Sequence, residues 1–506
     1  MNLLPLLLIL IPLISTATLL IPKGHHFPIS PRHIALTATI INLILTLILA
    51  FAYLTKPASS ENSAFALQFP WLQLSSLTHG VIPDIHFHIG IDGANLPLLL
   101  LTALVSVAAI AYRSEHTHPH HAPTYIALLL IVLGAYGAFL SFDAFFLYIF
   151  HEFALIPTFL LIYFQGRSPE RKTTALQITL YLTLGSLILL VGLISLITLM
   201  PTGTRTFDIH LIEDYFSQNY RILADRPYLA FYLLFIGSAI LFSIFPFHSW
   251  APSGYALAPT PVAMLHAGVL KKFGPYILLR LAFPNLPEGA LLLNPWITTA
   301  LLANILYIGF VTLRQHQLHY LLSYSSIMHM GYILLGLLAW NSISLTGALL
   351  LMLAHGLSTA LLFALCGEIH TRTHTFEMKS IGGLVATAPR LATLFILASM
   401  ASIGLPGLAN FAGEILIFLG AWKAELHLVT ILALWGIVIS ATYQLRAIQH
   451  IFFGTPADPN RPTHPDLSPI THWHYYLLAL ALLILGITPS LLTPSIQTTL
   501  STLLNP

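Results

Sequence analysis

A chain of 506 residues that is 57% hydrophobic and 8% charged, with mean hydropathy +0.83, lacks the roughly 25% charged residues that cover a water-soluble domain. A soluble enzyme is excluded, and the chain reads as an all-α, polytopic membrane protein whose main solvent is lipid. The net charge of +2, with no basic stripe interleaved with aromatics, gives no sign of nucleic-acid binding, and the single cysteine, Cys366, excludes an internal disulfide and reads as a buried, inert thiol.

A helix needs about 20 apolar residues to cross about 30 Å of hydrocarbon. The first run, Met1 to Ile21, has neither a basic leader nor a small-residue cleavage site, so it reads as a span rather than a signal peptide. Such runs lie near residues 2–22, 33–54, 94–113, 124–142, 143–165, 173–199 and 229–247. They continue near 259–283, 294–313, 320–340, 343–368, 388–421, 426–450 and 473–495, giving fourteen spans. Between the fourth and fifth, Ser141-Phe142-Asp143 is the only polar break and implies a tight turn.

The basic residues orient this ladder. With the N-terminus outside, the cytoplasmic links hold Lys23, Arg32, Arg113, Arg167, Arg171, Lys172, Arg314, Arg372, Lys379, Arg390, Arg446 and Arg461. The outer links hold Lys56, Arg205, Arg221, Arg226, Arg280 and Lys423, so the count is twelve against six. Positive charge prefers the cytoplasmic side, which places both termini outside.

Two runs are interrupted. Phe245-Pro246-Phe247-His248-Ser249-Trp250-Ala251-Pro252 ends the seventh, and Gly404-Leu405-Pro406-Gly407 cuts the twelfth. Proline removes a backbone donor and clashes with the preceding turn, so helices 7 and 12 should break there. Broken helices in corresponding positions mark an inverted repeat around a transport path. The expected organisation is helices 1–3 over 1–123, two five-helix units over 124–283 (helices 4–8) and 284–454 (helices 9–13), and a link with helix 14 over 455–506.

Four charged side chains fall deep inside these runs: Glu152, Lys271, Lys272 and Glu414. A charge at the bilayer centre costs roughly 2.5–3.5 kcal/mol on insertion scales, so it is a functional signal by default. Glu152, about ten residues into its span, is a carboxyl whose protonation can be switched by moving a partner charge. Of Lys271 and Lys272, neighbours pointing about 100° apart on a helix, one suits a relay and the other snorkelling or pairing. His329 and His355 lie within spans, where imidazole suits a relay between charged sites, although a neutral strut is the plainer role. His116, His118, His120 and His121 lack the spacing of a metal site and read as a solvated loop. No phosphate loop, Cys-x-x-Cys or nucleophile–base motif occurs, so the chain should bind no redox cofactor of its own.

Across roughly residues 90–455, the stretches Asp143–Pro157, Pro246–Trp250, Ala267–Gly274, Tyr324–Gly331, Met352–Gly356 and Gly404–Gly420 resemble the chain M family of bacterial NADH:quinone oxidoreductases. Its mitochondrial counterpart is subunit 4 of complex I, and its wider relatives include Mrp cation/proton antiporters and hydrogenase membrane arms. The resemblance implies fourteen helices in two inverted five-helix units and a hydrated polar axis along the membrane midplane. It places the family's helix-5 glutamate on Glu152, its helix-8 lysine on Lys272, its helix-12 glutamate on Glu414 and its midline histidines on His329 and His355. It also implies FMN, iron–sulfur clusters and quinone in other subunits, and two antiporter-like subunits as neighbours.

The chain departs from that pattern. Leu241 stands where the family has its helix-7 lysine, Gln317 and His319 stand where the helix 9–10 link often carries an acid and a base, and Ser253 and Leu257 replace an aspartate and a glutamate after Trp250. Either His151 or His248 substitutes for the lysine, or the first half conducts weakly. The leading expectation is a proton-translocating antiporter-like subunit in a bacterial cytoplasmic membrane, ahead of a mitochondrial one. An Mrp-type antiporter, a hydrogenase membrane subunit and a structural spacer are the alternatives.

Overall fold

The computed structural model describes residues 3–21, 30–55, 64–112, 121–223, 228–455 and 465–504. Lys23, Lys56, Arg113, Glu115, His116, His118, His120, Arg226 and Arg461 lie outside the described residues.

The chain is overwhelmingly helical. In order come α1 (Leu4–Leu20), α2 (Pro31–Leu54), α3 (Leu96–Ala111), α4 (Ala122–Leu140), α5 (Ala144–Gln165), α6 (Arg171–Thr198) and α7 (Ile209–Leu223). There follow α8 (Tyr228–Leu241), α9 (Trp250–Leu257), α10 (Thr260–Gly268), α11 (Phe273–Ile277), α12 (Pro287–Leu302), α13 (Gly309–Leu313), α14 (Leu318–Leu338) and α15 (Ser342–Thr373). The last are α16 (Pro389–Ile403), α17 (Ala409–Lys423), α18 (His427–Phe452), α19 (Trp473–Ile487) and α20 (Thr493–Leu504). Among the described residues, nine helical segments are long and apolar enough to cross a membrane, and five more are apolar but shorter. The innermost are α15, whose central membrane-length stretch is wholly buried in protein, and the segment Thr260–Ala282, buried throughout. They carry Lys271, Lys272 and His355.

The expectation of an all-helical chain is corrected at one place. Ala64–Leu72 (β1) and Ile85–Ile91 (β2) pair antiparallel, Ala64 opposite Ile91 and Leu72 opposite Ile85. These segments are rich in aromatic and β-branched residues, which fit a pleated surface, and Phe69 meets Phe87 across the ladder at 5.1 Å. The tight turn at 141–143 is built onto this hairpin: Phe142 N–H donates to His88 O at 2.8 Å, and Asp143 caps α5 by accepting from Phe145 and Phe146. The amphipathic α7 in the link after α6 was also not anticipated.

The links fall on two faces. On one, the hairpin meets the link after α6 (Gly203 N–H to Gly80 O, 3.3 Å) and α20 (Gly93 N–H to Thr499 Oγ1, 2.8 Å). On the other, Arg32 donates to Ala111 O, Arg167 N–H to Leu257 O, Leu318 N–H to Phe376 O, and Arg390 N–H to the Asp466 carboxylate. Links after alternate spans therefore share a face, as an up-and-down membrane bundle requires.

Both interruptions are present. The seventh run does not stop at its proline motif: it resumes as α9 after an irregular turn. The freed backbone of this turn is satisfied by side chains, since Asn304 Oδ1 accepts from Phe245 N–H at 2.7 Å and Trp250 Nε1–H donates to Ile240 O at 3.0 Å. Backbone polar groups inside a bundle need such partners. In the twelfth run α16 ends at Gly404, in the left-handed region at φ +85°, and α17 begins at Ala409.

Candidate functional site: a row of buried polar side chains

A third interruption, not anticipated, organises the centre. Between α10 and α11 the chain tightens into a single 3-10 turn at Leu270–Lys272. Pro275 has no N–H to offer the carbonyl four residues back, that of Lys271, and its ring crowds that carbonyl, so the regular ladder fails just there. The freed Ala267 carbonyl is taken by the Lys272 ammonium, which donates to it at 2.8 Å. The same ammonium donates to Nδ1 of His355 on α15 at 3.1 Å, and His355 Nε2 lies 3.2 Å from Thr359 Oγ1. Lys271 and Lys272 are both fully buried, so neither snorkels. Lys271 has different partners: its ammonium lies 5.2 Å above the Tyr255 ring of α9 and donates to Ser326 Oγ of α14 at 3.4 Å.

The row continues along α14. The ring of His329 lies 5.3 Å from that of His355. Its Nδ1 is 2.8 Å from Ser325 O and its Nε2 is 2.8 Å from Ser402 O, in the last turn of α16 before the break. Two carbonyl oxygens can only accept, so only the doubly protonated ring donates to both. Beyond His329, the Tyr332 ring packs at 5.8 Å. Glu414 of α17 then lies buried against the Gly404 break, in the space a side-chain carbon at Gly404 would occupy. Its Oε1 has no hydrogen-bond partner among the described residues.

Glu152 stands at the other end. Its carboxylate accepts from the Ser186 hydroxyl of α6, and its Oε1 is 3.3 Å from His151 Nδ1. Its side chain is 30% exposed on the outside of the bundle, beside exposed Phe153 and Ile156. His151 turns inward, is buried, and packs edge-on against Phe273 at 5.1 Å. His248, in the helix-7 break, is half-buried and stacks on Phe245 at 5.6 Å. Leu241 is buried at the end of α8, close to α11, whose Gly274 abuts Phe242 and the Ser238 carbonyl. His319 is not in this row; it packs on Phe376 at 4.0 Å near the opposite end of α14.

Sequence reasoning missed a second charged group. Arg280, assigned to an outer link, lies buried in the span Thr260–Ala282 and pairs with Asp92 at 3.0 Å. Around it gather His88, whose Nδ1 meets Asp208 at 2.7 Å, and His210, whose Nε2 is 3.4 Å from the guanidinium. Burial and the Arg280 charge hold the His210 imidazole down to about 4, so it is neutral near pH 7. Burial opposes ionisation of Asp208, but the His88 contact holds it below the usual carboxylate range. Glu213 on α7 is pushed up to about 7 by burial, against the pull of Arg280. Donor atoms of His88, Asp208 and His210 lie within 4.8 Å of one another, a spacing a divalent cation can use. The adjacent guanidinium repels such a cation, so the group reads as an ion-pair cluster joining β2, α7 and the eighth span. The signal for it, an Asp-Gly just after a strand-like run, was in the sequence but had no partner there.

Broken helices that bring a buried lysine to histidines and set a buried glutamate against a helix end define an antiporter-like membrane subunit. Residues 141–440 match the family described as "NADH:quinone oxidoreductase/Mrp antiporter, TM", and the chain belongs to it. It is 32% identical to NADH-quinone oxidoreductase subunit M of Pseudomonas aeruginosa, over 95% of this chain and 94% of that one. It is 34% identical to NAD(P)H-quinone oxidoreductase chain 4 1 of Synechococcus sp. (strain JA-3-3Ab), over 83% of this chain and 80% of that one. Among solved structures it is similar to a chain of respiratory complex I from Thermus thermophilus with bound NADH. That likeness has a TM-score of 0.84 and 28% identity, covering 99% of this chain and 100% of that one.

Proposed function

We propose that the chain is a proton-translocating, antiporter-like subunit in the membrane arm of a respiratory NADH:quinone oxidoreductase. The observation that carries this is the contact between Lys272 and His355 inside the row from Glu152 to Glu414. The subunit M and chain 4 relatives, matched over most of their length, favour this reading over an Mrp-type antiporter.

The chain's own residues supply the proton path. Lys272, held by a freed carbonyl, receives or releases a proton through His355. His329 passes it toward Glu414 at the second broken helix. Glu152, at the rim, answers the charge state of the row and of whatever subunit covers that rim. Each protonation changes the field felt by the next group, and one pKa unit is about 1.4 kcal/mol. Flavin, iron–sulfur clusters and quinone belong to other subunits in this reading, and the immediate partners are two neighbouring antiporter-like subunits.

Fourteen spans in two inverted units, 124–283 and 284–454, account for the two faces of links and for a broken helix standing fourth in each unit. With Arg280 counted in a span, the sequence assigns twelve basic residues to the cytoplasmic links and five to the outer ones. In the bacterial cytoplasmic membrane of this reading, the asymmetry supports both termini outside.

The test is NADH-driven proton uptake by the assembled complex in vesicles. Glu152→Gln should abolish uptake with the complex still assembled; undiminished uptake removes Glu152 from the mechanism.

A further inference from the structure

We propose that His266, working with Lys271 and His151, is a second relay, linking Glu152 to Lys272 and taking the place left by Leu241. The inference rests on the pumping function proposed above and adds the route within the first unit.

Four observations carry it. First, His266 is buried on α10, one turn before the break, and its Nδ1 has no hydrogen-bond partner among the described residues. A buried polar atom without a partner costs about 1–3 kcal/mol, so it needs a reason. Second, its ring sits in an aromatic corner, 5.5 Å from Trp250 and 5.4 Å from Tyr255, the two rings carried by the second half of broken helix 7. Third, Tyr255 is shared: its ring stands at right angles to that of His266 and its face carries the Lys271 ammonium at 5.2 Å. Beyond that face Lys271 has only the long contact to Ser326. A cation–π contact and one weak hydrogen bond compensate little for a buried ammonium, and such a group is suited to passing its proton on. Fourth, His266 lies within electrostatic range of both Lys271 and His151, and His151 in turn touches the Glu152 carboxylate.

The order is therefore Glu152, His151, His266, Lys271 and Lys272, the last two adjacent in the chain and close enough for their charges to interact. In each step one N–H or O–H bond breaks as another forms. The carboxyl proton moves to the His151 imidazole, that ring's proton to His266, and the His266 proton to the neutral amine of Lys271. Lys271 passes it to the amine of Lys272, and the groups return to their starting states as the next proton follows. Leu241 lies beside this route, because the end of α8 packs on α11 through Gly274. A lysine there would offer a shorter path, and its loss is matched by three titratable side chains on the neighbouring elements.

The test uses the complete complex in vesicles, measuring protons taken up per NADH oxidised. His266→Leu and Lys271→Leu should each lower that ratio about 10-fold or more, the scale on which a positioned proton-transfer group acts. Leu241→Lys in the Lys271→Leu background should recover it to within about 3-fold, which a packing role for Lys271 would not allow. Assembly of each variant is followed by native electrophoresis. His266→Gln, which keeps size and polarity but cannot carry a proton charge, separates relay from packing: it should pump as poorly as His266→Leu. Normal pumping in His266→Gln and Lys271→Leu, with pumping lost in Lys272→Met, overturns the relay and leaves the pump standing. Normal pumping in all three overturns both.

Discussion

Lys272 and His355, 83 residues apart in the chain, meet at 3.1 Å where a helix that breaks passes a helix that does not. The break supplies a second partner, the Ala267 carbonyl, so the ammonium is held by one fixed dipole and one group that can exchange a proton. If the pair works as a unit, its two members should not contribute independently to pumping. Lys272→Met and His355→Gln should each abolish most proton uptake, and the double variant should be no worse than the poorer single one. Losses that simply add would show two independent routes.

Gly404 allows Glu414 to lie against the end of α16. It is in the left-handed region at φ +85°, and a side-chain carbon there would collide with the Glu414 carboxylate. Gly407 is also left-handed, at φ +92°, but has open space around it. Alanine at either position should cost about 1–2 kcal/mol of backbone strain, seen as a similar loss of thermal stability. Only Gly404→Ala should also depress proton uptake, because it displaces Glu414. Equal pumping by the two variants would remove this contact from the mechanism.

The Asp92–Arg280 pair is buried on both sides, and the Asp92 Oδ1 also accepts from Ala94 and Asn95 N–H groups at 2.9 and 2.8 Å. Removing one partner leaves an uncompensated charge, at a cost of about 3–5 kcal/mol. Asp92→Ala should therefore melt well below the parent in detergent, and adding Arg280→Met should recover much of the loss. A double variant as unstable as Asp92→Ala alone would assign the cost to the Asp92 turn rather than to the pair.

Glu213 carries a pH signature. Its carboxyl is pushed up to about 7 by burial, whereas in the unfolded chain it titrates near 4.5. Between these values the folded state holds the extra proton, so the contribution of Glu213 to stability falls as pH rises through that window. Asp143, also pushed up to about 7 by burial, adds a slope of the same sign. The Glu213 shift corresponds to at most about 3 kcal/mol, and less is realised because the side chain is partly exposed. His210, held down to about 4, contributes the opposite slope below about pH 6.5, so the test is differential: between pH 5 and pH 7.5 the melting temperature of Glu213→Gln should fall less, or rise more, than that of the parent. An unchanged slope in that variant would discharge Glu213 from the pH dependence.

Much of the architecture could be read from the sequence because the bilayer imposes it. Apolar runs of crossing length, Pro246 and Pro406 inside two of them, and charges where charges are expensive are local properties of the chain. Hence the helices, the two breaks, and Glu152, Lys272, His329, His355 and Glu414 as residues to watch were all visible before any coordinates. The hairpin was missed because a two-stranded element between spans gives a weak signal beside twenty-residue runs, and α7 because its amphipathic pattern resembles an ordinary polar link.

What the chain fixed unaided was which side chains are costly in lipid, since that cost depends on residue type and the apolar neighbours in sequence. Which of these costs is offset, and by what, was decided only by folding. Pairing energies depend on distances of a few ångströms between helices far apart in sequence: Lys272 to His355, Arg280 to Asp92, His266 to the ring that also carries Lys271. Two adjacent lysines look alike as letters. The turn that Pro275 tightens sends one to a histidine and the other to a tyrosine face, and only their surroundings distinguish them.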